Sequence, residues 1–144
     1  MQFDPAIAAQ RSLSRAIASG ELGADREQVL ETEAIFSSEA GDTARAAYLS
    51  LQEIGERHPG ARAFQEFLIY ITWQQATEET IPVYFRTGLA LCNRYLLGAA
   101  GPVKTAEPDV GQVRELRASF RRGLGLDADD EMEEYDKDAF HGGD

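Results

Sequence analysis

Glu78 and Glu79 are adjacent carboxylates shortly before Pro82, and Arg86 and Arg94 follow it on the next apolar stretch. Such residues can do acid–base work on a bound anion. A carboxylate in surroundings that penalise its charge keeps a proton towards neutral pH, and an arginine stabilises negative charge on a substrate. Phe64, Phe67, Leu68 and Ile71 recur at helical spacing, and the same stripe runs on through Gln74 or Gln75 to Glu78. One reading is therefore the polar mouth of an aromatic cavity, with Tyr70, Tyr84 and Asn93 as neighbours. The plainer reading is that the stripe emerges into solvent at "QQATEE" before the proline.

Other reactive side chains are sparse. His58 and His141 are the two histidines, and neither has a histidine partner three or four residues away, so no metal-binding pair forms. In "ERHPG", His58 reads as a helix-ending residue beside a proline stop. Cys92 is the single cysteine, so no disulfide can close within the chain, and its stripe with Phe85, Leu89 and Leu96 points to packing. "GAAGPVKT" has glycines before a lysine and threonine, but the spacing is wrong for a phosphate loop and a helix precedes it. No cofactor, no metal and no catalytic set is expected, Glu78, Glu79, Arg86 and Arg94 being the one enzymatic alternative.

Charge is distributed unevenly. Of the net charge of −11, residues 127–138 contribute −7, with eight acids and one lysine. The oxygen ligands there lack the ordered spacing and central glycine of a calcium loop. Met132, Tyr135 and Phe140 are interspersed with Glu131, Glu133, Glu134 and Asp136, so the segment combines charge with apolar anchors. Just upstream, 114–122 holds four arginines and one glutamate. Nucleic acid is disfavoured as a partner because the neighbouring acids repel its backbone.

Helices must position these groups. Asp4 and Pro5 read as an N-cap and first helical residue, with Leu13 and Ile17 on the stripe that follows. A second helix is expected after Asp25, with Gln28 as the returning cap partner and Val29, Leu30, Ala34 and Phe36 as its apolar side. A third runs from about 43 to 57, and the aromatic stretch after Ala61 forms a fourth, apolar enough to be central. Pro82 starts a fifth, since proline has no N–H for an interior helical bond. Val113, Leu116 and Phe120 mark a sixth, stopped at Gly123 and Gly125. No segment alternates with period two, so the expected fold is all-α. It is a compact orthogonal or up-down bundle of five to six helices with a flexible acidic C-terminal tail. A composition of 43% hydrophobic and 27% charged residues suits a folded body. The expected division is a helical core at 1–101, a linker and Arg-rich helix at 102–125, and the tail at 126–144.

These features predict a nonenzymatic protein–protein interaction module, a regulator, inhibitor or assembly adaptor. Residues Glu131 to Phe140 would engage a protein with a basic-rimmed groove. A structural homo-oligomer is the third class. No apolar run approaches the roughly 20 residues of a membrane span, and no signal peptide is evident at the start, so a cytoplasmic protein is expected.

Overall fold

The computed structural model describes residues 3–79, 82–99 and 108–126. These residues are all-α, with no strand among them: α1 (Pro5–Ser19), a 3-10 turn (Gly23–Asp25), α2 (Arg26–Ser38), α3 (Gly41–Arg57), α4 (Arg62–Glu79), α5 (Pro82–Ala99) and α6 (Pro108–Gly123). The chain divides into two compact units, residues 7–68 and residues 1–6 with 69–144, and the boundaries fall inside α1 between Ala6 and Ile7 and inside α4 between Leu68 and Ile69.

Local sequence sets most of the ends. The Ala6 N–H donates to Asp4 Oδ1 at 2.9 Å, the cap expected at the start of α1. Pro82 and Pro108 each occupy the first position of a helix, where a missing N–H costs nothing. At the end of α6 the Gly125 N–H donates to the Arg122 carbonyl and the Leu126 N–H to the Arg121 carbonyl, at 3.0 and 2.9 Å. Gly125 has φ +78°, so this is a Schellman stop and needs a residue that tolerates the left-handed region.

In the unit of residues 7–68, α2 and α3 form a helical hairpin joined by Glu39 and Ala40, and Phe36 meets Tyr48 with ring centroids 6.2 Å apart. Ala16, Leu22, Leu51, Ile54, Phe64 and Phe67 are buried there. On α2 only Val29 is fully buried, while Leu30 and Ile35 are exposed. One residue is a step of about 100° around a helix, and this alone carries Leu30 off the face that Val29 occupies.

In the other unit, α5 and α6 run antiparallel. A Cβ on Gly88 would lie 2.1 Å from the Phe120 ring, and one on Gly123 would lie 2.4 Å from the Phe85 ring, so the numbering falls on one helix as it rises on the other. Trp73 of α4 stands edge-on to Phe120 at 5.2 Å and to Phe85 at 6.4 Å. The two glycines let the backbones approach, and the aromatic rings fill the space this creates. Val113, Leu116 and Phe120, the expected stripe of α6, are all buried.

Candidate functional site

Each unit contains a set of buried polar side chains, and most of them were not singled out by the sequence. On α4, Glu66 is 1% exposed within a run, 63–72, that is buried on every side. An ionised carboxylate there must be compensated. α1 supplies the partners: Arg15 forms an ion pair with Glu66, and Ser12 Oγ donates to its Oε1 at 3.3 Å. Arg15 and Ser12 lie three residues apart and so share a helix face. The Arg15 side chain is half exposed, which keeps one member of the pair hydrated. The arrangement ties α1 to α4.

Two further contacts hold the corner between α3 and α4. Gln65 Nε2 donates to the carbonyls of Gly55 and His58 at 2.9 and 3.0 Å, satisfying acceptors that the end of α3 leaves open. Glu21 Oε2 accepts the Phe64 N–H at 2.9 Å, placing a carboxylate at the N-terminal turn of α4, where the helix dipole favours it. His58 is the C-cap residue of α3, as its sequence context implied, and its ring bonds Asp25. His58 Nε2 lies 2.7 Å from Asp25 Oδ2, and Arg57 lies 3.3 Å from the same oxygen. The bond from His58 holds the Asp25 carboxyl below the usual carboxylate range, partial burial opposes this, and the Arg57 charge reinforces it. Asp25 makes no side-chain cap bond to α2, because its carboxylate is used across the chain instead.

In the unit that contains α5 and α6, Asn93 Oδ1 accepts a bond from Arg117 Nε, both side chains being buried. Cys92 is fully buried next to them. Burial pushes its thiol far above the ordinary range, with the Arg117 charge a smaller opposing influence, so Cys92 is a packing residue.

The residues weighed for chemistry occupy different surroundings. Glu78 is exposed on α4, Arg86 and Arg94 are exposed on α5, and Glu79 ends α4. Neither Glu78 nor Arg86 makes an ion pair among the described residues. Arg86 and Arg94 lie eight residues apart, about 12 Å along the axis, on the side of α5 opposite the Gly88 contact. Tyr70, Tyr84 and Asn93 are buried. Among the described residues no group of three or more His, Cys, Asp or Glu side chains is placed to hold a metal ion, and no helix is long and apolar enough to cross a membrane. Glu131, Met132, Glu133, Glu134, Tyr135, Asp136 and Phe140 lie outside the described residues.

α6 divides its arginines between two roles. Arg117 and Arg121 are buried at 4% and 5% exposure, whereas Arg114 and Arg122 face solvent. The outward basic surface of α6 is therefore half of what four arginines suggested. The wider stretch is nonetheless basic. Residues 82–126 carry seven basic and three acidic side chains, against six and thirteen in 1–79. A cationic section thus lies between an acidic body and the acidic run at 127–138. No family model, curated protein or solved structure matches the chain.

Proposed function

We propose that the protein is a nonenzymatic protein–protein interaction module, a regulator, inhibitor or assembly adaptor. Its helical body supports an acidic, aromatic-bearing segment that docks on a basic-rimmed groove of a partner protein. The charge reversal carries this reading: a section of net positive charge gives way within a few residues to eight acids in twelve, with Met132, Tyr135 and Phe140 among them or just beyond. Carboxylates of Glu131, Glu133, Glu134 and Asp136 steer the encounter, and the three apolar side chains fill pockets and slow departure. Use of the buried polar groups as ties between helices favours a scaffold. Glu66 is bonded to Arg15 and Ser12, Gln65 and Glu21 serve helix ends, and Cys92 is a suppressed thiol.

The test is capture of a partner from lysate of the native cell by the full-length chain and by a chain ending at Gly125. The partner is then purified and rebound to both. Recovery of one stoichiometric partner by the full-length chain alone supports the assignment, and equal recovery by both chains refutes it.

A further inference from the structure

We infer that the outward face of α2 is a docking surface in its own right, and that it takes an amphipathic helix of a partner protein with basic residues flanking its apolar stripe. The surface lies wholly within residues 26–39, so it goes beyond the interaction role proposed above and does not depend on it. A helix at the surface of a folded protein ordinarily turns polar residues outward. α2 does not. Val29 is its one fully buried residue, and Phe36 meets Tyr48 of α3 on the same side. Leu30 and Ile35 nevertheless keep 43% and 44% of their surface exposed, and Ala34 is exposed with them. Among the described residues six large hydrophobic side chains are this exposed, and two of them stand on this one helix of 13 residues.

The spacing makes a seat. Leu30, Glu31, Ala34 and Ile35 occupy positions i, i+1, i+4 and i+5, four neighbours around one point of the helix surface, with Leu30 and Ile35 about 7.5 Å apart along the axis. Ala34 is the low point between two larger side chains, so an apolar side chain of a facing helix fits there as a ridge fits a groove. Charge names the occupant. Glu27 and Glu31 lie one turn apart on the same face, both exposed and neither in an ion pair among the described residues. Glu33 is engaged instead by Gln10 and Ser37. Residues 26–39 carry four acids and one base, Arg26. A second copy of the face would set Glu27 and Glu31 against the same carboxylates, since a symmetric contact pairs a patch with itself. Nucleic acid and anionic lipid are repelled for the same reason. A helix that lays apolar anchors over Ala34 and brings lysine or arginine to Glu27 and Glu31 satisfies both halves of the patch.

The probe is a synthetic amphipathic peptide of leucine and lysine, about 18 residues or five turns long, and its control carries glutamate in place of lysine. Each is titrated into the isotope-labelled full-length chain, and amide shifts are followed residue by residue. The lysine peptide should move the amides of 26–39, and the glutamate peptide should leave them in place. Leu30→Gln with Ile35→Gln should weaken that response at least about fivefold. Glu27→Gln with Glu31→Gln should weaken it about two- to fivefold and remove most of its salt dependence. Leu49→Gln, at an exposed leucine of α3, should leave it unaltered. All five positions are exposed, so thermal melting should stay unchanged and the fold is retained in every variant. Amides of α2 that do not move, or that move equally with both peptides or in the Leu30 and Ile35 variant, overturn the inference. So do α2 shifts that grow with protein concentration alone, which would make a second copy the occupant. Movement confined to residues 127–144 overturns it as well, and leaves the role proposed for that segment standing.

Discussion

Replacing Gly88 by alanine should destabilise the protein, although the same replacement at Gly111 should stabilise it. Both glycines lie inside helices, so alanine gains about 1 kcal/mol of helix propensity at either position. At Gly111 an added Cβ meets nothing within 4 Å, and the propensity term should appear almost undiminished, as a gain of about 0.5–1 kcal/mol. At Gly88 the Cβ would fall 2.1 to 2.5 Å from three ring atoms of Phe120. Phe120 is fully buried and is held edge-on by Trp73 and Phe85, so it cannot swing into solvent. Overpacking of this kind costs about 1–3 kcal/mol, and contact with rigid aromatic atoms puts Gly88 at the upper end. About 2 kcal/mol of net loss remains, a fall in Tm of very roughly 4–8 °C for a chain of this size. Thermal and denaturant unfolding would be followed by far-UV circular dichroism and by the fluorescence of Trp73, the single tryptophan, which reports the ring cluster directly. If Gly88→Ala matches or exceeds the stability of Gly111→Ala, with unchanged Trp73 emission, the close approach of α5 and α6 is wrong.

Glu66→Gln should lose about 2 kcal/mol in denaturant melts, because the exchange removes the charge that Arg15 and Ser12 compensate, while half-exposed Arg15 limits the damage by rehydrating. Asp25 has a folded-state pKa below its unfolded value, so its contribution to stability is present above about pH 4 and is lost as pH falls through the folded value. Asp25→Asn should therefore flatten the acid side of the stability profile below pH 4; an unchanged profile would disprove the link to His58. Cys92 should react with a thiol reagent only at the rate of unfolding, and labelling that is fast and insensitive to denaturant would contradict its burial.

Periodicity made the helices legible. The stripe of Val113, Leu116 and Phe120, the break at Pro82 and the cap at Asp4 all correspond to observed structure, since each is a local constraint. Glu66 and Gln65, a charged and an amide side chain within an aromatic run, carry no local sign of burial in the sequence. Their partners lie 51 and 10 residues away in the chain. Asp25 shows the opposite error: its position suits a helix cap, yet His58, 33 residues on, takes its carboxylate. The arginines of α6 needed the packing of α5 before they could be sorted, because Arg117 and Arg121 follow Val113 and Leu116 around the helix onto the covered face, and only Arg114 and Arg122 remain outside. Glu78, which the apolar stripe through Phe64, Phe67, Leu68 and Ile71 leads towards, is exposed.

The central claim is tested most directly by the binding kinetics of the captured partner with two full-length variants. One neutralises Glu131, Glu133, Glu134 and Asp136 as their amides; the other carries Tyr135→Ala and Phe140→Ala. Charge that steers and side chains that retain should separate: the first variant slows association by about tenfold and flattens its salt dependence, and the second speeds dissociation by about tenfold or more. Association and dissociation rates that match those of the unmodified chain in both variants would contradict the account.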